Sequence, residues 1–408
     1  MEVEVALLGG AEAVASVPSG ASRGSAEAFE LRDGDAARFD GHGVLVAVAA
    51  VDGEIARAVA GHDALDQEGL DARMCALDGT AQLSRLGGNA ILAVSIAVAR
   101  AGAKATGTPL YRRLAEITGV RAPCLPIPMV NILSGGLHAS RGMDIQDFLA
   151  IPIGASAYGE ALEWTWRVRE AAARLCEHAK IATLLADEGG LCPGFVETND
   201  ALDLMVWSIE RAGLKPGEDV AIALDVAATC LAHPAGGYCL TRAERTLSPA
   251  EMIEQLVDWT RRYPIVSIED GLGEADWTHW PALTKRLPDI QLIGDDLFAT
   301  QPALITRGLA EGAANAALIK INQNGTLSGA CEALATARAG GMATIVSARS
   351  GETEDAFIAD LAVGSAAGQI KIGSLRNSER QTKYNRLLRI EEAGLDFCAF
   401  PRPHAHRG

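Results

Sequence analysis

Five short apolar runs in the second half of the chain each end in one charged residue. These charged residues are Asp225, Glu269, Asp295, Lys320 and Arg349. An apolar run of about four to eight residues, bounded by glycine, proline or polar turns, is typical of a strand buried on both faces. Because helical stretches separate the runs, the pattern predicts a β/α barrel, whose active site lies at the C-terminal ends of its strands. A buried lone charge costs several kcal/mol, so we expect these charges to meet partners there.

Together with these five runs, the region contains nine strand candidates, which is one more than a closed eight-stranded barrel needs. They cover residues 128–134, 148–154, 182–189, 220–227, 264–270, 291–296, 316–322, 343–349 and 369–374. Helical segments lie between them, including residues 157–180 and 248–263. The second of these begins with Ser248 followed three residues later by Glu251, which is the spacing of a capping box.

The first part of the chain has a different pattern. Residues 2–8 and 43–51 are β-like runs, and the segment 16–35 between them is rich in Ser, Gly and Ala, which predicts a mobile loop. Residues 53–117 show helical periodicity. The proline-rich segment 122–130 marks a junction. We therefore predict an N-terminal α+β capping domain with a mobile active-site loop at 1–121, and a β/α barrel catalytic domain at 122–408.

Composition narrows the classes of partner. A net charge of −16 over 408 residues disfavours nucleic acid and anionic membranes. No uncharged apolar stretch reaches about 18 residues, and the N-terminus lacks a basic segment followed by an apolar one, so we expect a cytoplasmic protein. The eight cysteines include no C-x-x-C pair, which disfavours structural zinc and predicts mostly buried thiols in a reducing compartment.

The three acids at the strand ends, Asp225, Glu269 and Asp295, supply the hard oxygen ligands that magnesium prefers. The alternative is that each acid caps a helix or forms a salt bridge just beyond its strand. Their repetition in order, with Lys320 next, favours the metal site. Lys320 itself is either a structural ion-pair partner or a general base, since nearby positive charge lowers the pKa of an amine in a dry site.

Other residues suit the binding of an anionic substrate. Lys371, at the next strand end, could hold a carboxylate, and Arg349 with Ser350 could bind a phosphate, although a serine starting a helix beside a salt-bridged arginine would look the same. Glu188 precedes two glycines that let the backbone turn sharply, so its carboxyl could protonate a leaving hydroxyl. His138 also follows a glycine pair. Alone, either residue would read as an ordinary turn or surface residue.

Taken together, these segments resemble the enolase family over nearly the whole chain. The resemblance rests on motifs that occur in order: SVPSGAS, ELRDGD, GNAILAVS, LPIPMVNILSGG, ADEGG, ALDVAA, PIVSIEDGL, GDDLFAT, IKINQNGTL, RSGETED and GQIKIGS. It implies an enolase-type barrel behind a capping domain, two Mg²⁺ ions with the second arriving with substrate, and a homodimer or higher homo-oligomer. It also implies a small phosphorylated or phosphonylated carboxylate as substrate, with neither nucleic acid nor membrane as partner.

The resemblance assigns a role to each matching position. It places the tightly held magnesium on Asp225, Glu269 and Asp295, and a second ion on Ser22. It implies that Lys320 removes the α-proton and that Glu188 assists loss of the β-hydroxyl. The implied substrate contacts are His138, Asp147, Arg349, Ser350 and Lys371.

The chain departs from the family pattern at positions close to the chemistry. Ala348 stands where the family has histidine, Asp147 where it has glutamate, and Arg23 follows Ser22 on the loop where it has threonine. These changes favour a specialised member that accepts a larger phosphoryl-type or leaving group, with Arg23 meeting an additional anion and Ala348 making room. The alternatives are an ordinary glycolytic enolase and a catalytically inactive protein that keeps the fold.

Overall fold

The N-terminal part is a β-hairpin packed on a layer of helices. The computed structural model describes residues 1–20 and 24–401, so the predictions for Ser22 and Arg23 lie outside the described residues. The hairpin consists of antiparallel strands β1 (Glu2–Ala6) and β2 (Glu12–Ser16), which pack on the buried helix α4. The helices are α1 (Leu45–Ala50), α2 (Ala56–Val59), α3 (Gln67–Asp78), α4 (Gly88–Ala105) and α5 (Leu110–Thr118), with a π-helical turn at Val51–Ile55.

One strand prediction in this part is wrong. Residues 43–51 were expected to be β-like, but they form α1 and lead into the π-helical turn. A short run of valine and alanine fits either conformation, because periodicity alone does not separate a strand from a buried helix segment. Ala47 and Ile55 are fully buried against the domain core, and Leu45 and Val46 stay exposed. The predicted helical region from residue 53 onwards is confirmed.

A closed barrel of eight strands forms the second part. The strands after β2 are β3 (Ile127–Ser134), β4 (Asp147–Ile151), β5 (Leu184–Leu185), β6 (Leu191–Cys192), β7 (Ala221–Asp225), β8 (Tyr238–Leu240), β9 (Arg245–Leu247), β10 (Ile265–Glu269), β11 (Gln291–Gly294), β12 (Ala316–Ile319), β13 (Ala343–Ser347) and β14 (Gly368–Gly373). The barrel order is β3, β4, β7, β10, β11, β12, β13 and β14, closed by pairing of β14 with β3. Strand β4 is antiparallel to both neighbours, and the other barrel pairs are parallel.

The candidate strand at 182–189 does not belong to the barrel. It shortens to β5, which pairs with β6 as a small hairpin joined to β3 at one position. Leu184 and Leu185 are exposed, and Glu188 lies in the turn between the two short strands. This segment is therefore the one strand candidate that is not a barrel strand, and Glu188 reaches the C-terminal end of the barrel from a turn.

Helices surround the barrel. They are α6 (Tyr158–His178), α7 (Thr198–Arg211), α8 (Pro249–Arg262), α9 (Trp280–Arg286), α10 (Pro302–Glu311), α11 (Ile321–Asn324), α12 (Leu327–Ala339), α13 (Phe357–Gly364) and α14 (Ser378–Glu391). The predicted capping box is confirmed at the start of α8, where Ser248 Oγ accepts from the backbone N–H of Glu251 and the Glu251 carboxylate accepts from the backbone N–H of Ser248.

The inside of the barrel is filled by side chains. An apolar group that includes Ile127, Leu149, Ile293 and Leu318 packs there. Gln291 donates hydrogen bonds to Ser267 Oγ at 3.0 Å and to another buried glutamine. The inside of the barrel is therefore a packed core, and chemistry is expected at the C-terminal ends of the strands.

The thiol prediction is wrong for one pair of cysteines. Cys124, just before β3, forms a disulfide with Cys398 near the C-terminus, across a sequence separation of 274 residues. Cys398 N also donates to Leu125 O at 2.9 Å, so the C-terminal segment is tied to the start of the barrel. The other six cysteines are free thiols, but the expectation that most of them are buried is wrong, because Cys176 is buried and the other five are partly exposed. Within the described ranges no single helix is both long and apolar enough to cross a membrane, although the bent pair α4 and α5 together would meet that criterion.

Candidate active site

Eight of the predicted functional residues line one cavity at the C-terminal end of the barrel, and Asp147 and Glu269 contact two of its lining residues, His138 and Lys371. Strand register aligns three acids, because Asp225 pairs with Glu269 on one side and with Asp147 on the other. Asp295 and Lys320 directly follow β11 and β12. The cavity is lined by His138, Gln146, Glu188, Asp225, Ala227, Cys230, Asp270, Asp295, Asp296, Lys320, Ser347, Ala348, Arg349, Ser350 and Lys371.

The ammonium of Lys371 lies between two of the predicted magnesium ligands. Its Nζ donates to Asp225 Oδ2 and to Glu269 Oε2, both at 2.7 Å. All three side chains are buried. Burial lowers the pKa of Lys371, but the two carboxylates raise it by more, so the pKa lies well above its usual value. In this arrangement the residue predicted to hold the substrate carboxylate neutralises protein carboxylates instead.

Lys320 is held in the same way by Asp295. Its Nζ donates to Asp295 Oδ2, and Gln323 Nε2 donates to Asp295 Oδ1 at 2.9 Å. Burial lowers the pKa of Lys320 and Asp295 raises it, with a net upward shift. The expected lowering of this pKa by nearby positive charge is therefore wrong for the described arrangement, because the neighbouring anion outweighs the effects of burial and of Arg349.

One buried carboxylate oxygen among the predicted magnesium ligands supports the binding of a divalent cation, and the sequence did not reveal it. Glu269 Oε1 is buried and has no hydrogen-bond partner in the part of the chain that the structure describes. Burial, followed by the charge of Asp225, raises the pKa of Glu269 to about 8. A bound cation would satisfy this oxygen and favour the ionised form. The residues therefore fit magnesium, and the assignment to Asp225, Glu269 and Asp295 stays a prediction.

The groups of ligand atoms that already converge within 4.8 Å are different ones. They are Asp270 with Asp295 and Asp296, and His138 with Asp147 and Glu188. Asp270 and Asp296 were missed, although the doubled acids in IED and GDD were the available signal. Asp270 also has a structural task, because its carboxylate accepts from the backbone N–H groups of Asp295 at 3.0 Å and Asp296 at 2.8 Å.

The predicted phosphate-binding arginine is in contact with the capping domain. Arg349 Nη1 donates to Glu27 Oε2 at 2.8 Å, and both side chains are buried. Gln323 Nε2 lies 3.3 Å from the other Glu27 oxygen. Arg380 on α14 fixes the segment that carries Arg349, since its guanidinium donates to the carbonyls of Arg349 at 2.7 Å and Ser350 at 2.6 Å. Glu27 and Arg380 had no predicted role, since neither contact is visible in local sequence.

His138 and Asp147 form a buried pair. Asp147 is fully buried and accepts from Asn131 Nδ2 at 2.5 Å, Ser134 Oγ at 2.9 Å and His138 Nδ1 at 3.1 Å. Burial lowers the pKa of His138, but Asp147 and then Glu188 raise it, to about 9. Burial raises the pKa of Asp147 and His138 opposes this. We place the shared proton on His138, because Asp147 accepts from three donors.

Glu188 lies beside this pair in the turn between β5 and β6. Its backbone carbonyl accepts from Ser374 N at 2.9 Å, and its carboxylate is 4.0 Å from Arg380 Nη1. Burial raises the pKa of Glu188, but His138 and Arg380 lower it by more. The carboxylate is therefore ionised in this arrangement, and the proton that could reach a leaving group is on His138.

Ala348 lines the cavity with only a methyl group. It is 4% exposed, and its backbone N–H donates to Lys371 O at 2.8 Å as β13 ends. No side-chain donor projects from this position, where the family pattern has an imidazole. The site thus has more room and one donor fewer than that pattern.

Two family models match the chain and together cover most of it. The model described as the enolase N-terminal domain matches residues 1–114, and the model described as the enolase C-terminal TIM barrel domain matches residues 122–401. The second range contains every acid and lysine of the cavity described above.

Proposed function

The chain belongs to the enolase family, and on that premise we propose that it abstracts the proton α to the carboxylate of a 2-phosphoglycerate-like substrate and forms an enolpyruvyl product. The observation that carries the proposal is that Lys320, Arg349 and Lys371 line one cavity together with the acidic strand ends. A base, an anion-binding arginine and a second cation in one enclosed site suit a phosphorylated carboxylate.

The proposed metal is magnesium on Asp225, Glu269 and Asp295, with Ser22 for a second ion. Bound Mg²⁺ would supply positive charge that stabilises the carboxylate of the deprotonated substrate. The orphaned oxygen of Glu269 supports this choice. Lys320 must be uncharged to act as a base, and its hold on Asp295 must therefore loosen when substrate binds.

In the proposed reaction, residues of the cavity accept the proton that leaves C2 and supply the proton that the departing oxygen needs. Lys320 Nζ takes the proton from C2 of the substrate, and the C2–H electron pair becomes the C2–C3 double bond. The C3–O bond breaks, and its electron pair leaves on oxygen. His138 carries the proton that this oxygen needs, and Glu188 relays it in the proposed scheme. Arg349 and Ser350 bind the phosphoryl group.

We further propose a specialised member of the family, such as carboxyphosphonoenolpyruvate synthase, which joins an enolpyruvyl unit to a phosphonoformyl group. Ala348, Asp147 and Arg23 support it, because all three residues depart from the family pattern. The second candidate, ordinary 2-phosphoglycerate dehydration, is supported by the metal, base and phosphate positions that match the pattern. A cytoplasmic homodimer is the proposed state, with a small-molecule substrate.

Solvent-deuterium exchange at C2 of 2-phosphoglycerate, with Mg²⁺ present, tests the proposal. The unaltered protein should exchange the proton, and Lys320→Ala should slow exchange by about 10²–10⁴-fold, the usual contribution of a general base. Lys215→Ala, on a surface lysine paired with Glu218, is the matched control and should leave the rate unchanged. Equal exchange by Lys320→Ala and the unaltered protein would overturn the assignment. Dehydration at ordinary enolase rates would contradict the specialised function alone.

A further inference from the structure

A second cavity adjoins the proposed active site. It shares Gln146, Ala227 and Cys230 with the first cavity. Several of its remaining walls are apolar side chains, which are Leu137, Met143, Val226 and Leu231. Gln146 directly precedes β4, and Ala227 and Cys230 lie in the segment that follows β7, on the side of the barrel where His138 and Asp147 are paired. The second cavity thus extends the site away from Arg349, which follows β13.

Arg141 brings an unbalanced positive charge to this second cavity. Its side chain is exposed, and its guanidinium has no hydrogen-bond or ion-pair partner among residues 1–20 and 24–401. The acid in the lining, Asp144, is engaged by the backbone N–H groups of Arg242 at 2.8 Å and Ala243 at 3.1 Å. The other arginine of the lining, Arg242, donates to Gly194 O at 3.3 Å. Arg141 is therefore the group best placed to receive an anion.

The backbone around Arg141 adopts a conformation that residues with side chains rarely take. Ser140 and Arg141 have φ values of 50° and 59°, and Ala227 on the shared wall has a φ of 47°. Left-handed conformations of non-glycine residues cost about 1–3 kcal/mol each, and they persist where the surroundings hold them. The charge of Arg141 acts on Cys230, where it opposes the effects of burial and Asp296 on the pKa of the thiol. The loop thus places Arg141 beside the wall that the two cavities share.

We propose that the second cavity binds an additional anionic group, carried by the substrate on its leaving-group side, and that Arg141 is the residue that selects it. The proposal rests on the proposed function, because it assumes that the enolpyruvyl unit occupies the first cavity. The bonds that form and break are then unchanged. The C3–O electron pair leaves on an oxygen that carries the additional anionic group.

Calorimetric titration with two probes tests this selection. Both titrations are carried out with Mg²⁺ present. The first probe, 2-phosphoglycerate, carries no anion on its C3 oxygen, whereas the second, 2,3-bisphosphoglycerate, carries a phosphate there. We expect the unaltered protein to bind the bisphosphate more tightly. Arg141→Ala should weaken bisphosphate binding by about tenfold to a hundredfold, the range for a charge-assisted hydrogen bond, with 2-phosphoglycerate binding unchanged. Arg141→Lys should keep part of the preference.

Arg174→Ala is the matched control, because Arg174 is an exposed arginine on the outer helix α6. It should change neither affinity. Equal affinity of the unaltered protein for the two probes, or an equal loss of both in Arg141→Ala, would overturn the subsite. The deuterium-exchange assay separates this from failure of the proposed function. A protein that exchanges the C2 proton of 2-phosphoglycerate yet shows no preference for the bisphosphate refutes only the Arg141 subsite. A protein that prefers the bisphosphate through Arg141 yet exchanges no proton supports the subsite and refutes the reaction.

Discussion

Replacement of Asp147 by asparagine should return the pKa of His138 to its ordinary value or below. The Asp147 carboxylate, 3.1 Å from His138 Nδ1, is the foremost group that raises this pKa. A pKa of about 9 in the folded protein, against an ordinary value of 6.5, corresponds to roughly 3 kcal/mol at about 1.36 kcal/mol per pH unit. In Asp147→Asn burial still disfavours the imidazolium, and Glu188 and then Asp225 are the remaining charges that oppose it, so the ring should be neutral near pH 7.

The same pair makes folding stability depend on pH. His138 binds its proton more tightly in the folded than in the unfolded protein, because its folded pKa is raised. Its stabilising contribution is therefore fully present below about pH 6.5 and is lost as the pH rises through about 9. In the unaltered protein the free energy of unfolding should fall by up to roughly 3 kcal/mol over this interval through His138. Asp147→Asn should remove this fall.

Two measurements check the pair. Nuclear magnetic resonance of the histidine ring protons gives the pKa directly, with the His138 signal identified by its absence in His138→Gln. Urea unfolding at pH 6 and pH 9 gives the change in stability. Asp258→Asn, which breaks the exposed Arg262 pair on α8, is the control and should alter neither result, since surface pairs contribute about 0–1 kcal/mol. A His138 pKa near 6.5 in the unaltered protein would refute the reasoning.

Three further predictions follow from separate features. Cys124→Ser should lower the free energy of unfolding by about 2–5 kcal/mol in urea, since the disulfide to Cys398 closes a long loop, and a reducing agent should have no further effect on that variant. Glu269→Gln should abolish the rise in melting temperature that Mg²⁺ gives the unaltered protein; an unchanged rise would place the metal elsewhere. Ala348→His should increase the kcat for 2-phosphoglycerate dehydration if the specialised function is correct, and no increase would count against it.

The strand ends were predictable because each combines two sequence signals, an apolar run and a charged residue that ends it. An apolar run that stops at a charge identifies both a buried strand and the end that faces the site, as at Asp225 and Glu269. Direction was not predictable for β4, since the same apolar pattern fits a parallel or an antiparallel strand. The run at 43–51 lacked any signal that separates strand from helix.

Contacts between distant segments account for the rest of what sequence did not reveal. Lys371 on β14 meets Asp225 on β7 and Glu269 on β10 only because the sheet closes into a barrel, since β14 is a neighbour of neither strand. The Cys124–Cys398 disulfide is equally invisible, because no spacing rule connects residues so far apart. Residue types at the strand ends could be read from the chain, whereas their pairing is a property of the closed barrel.

That pairing explains how an acidic cavity can bind an anionic substrate. Each buried carboxylate that was expected to serve metal or substrate faces a positively charged side chain in the described structure: Asp225 and Glu269 face Lys371, Asp295 faces Lys320, Asp147 faces His138, and Glu188 lies 4.0 Å from Arg380 Nη1. Arg349, the predicted phosphate ligand, is paired with Glu27. The charges are thereby compensated without ligands, which lowers the cost of burying them. A dication and an anionic substrate that arrive together can replace these pairs. The cation then binds the carboxylates, and the anion binds the ammonium or guanidinium groups. Either ligand alone would leave buried charges uncompensated, so the site favours binding both.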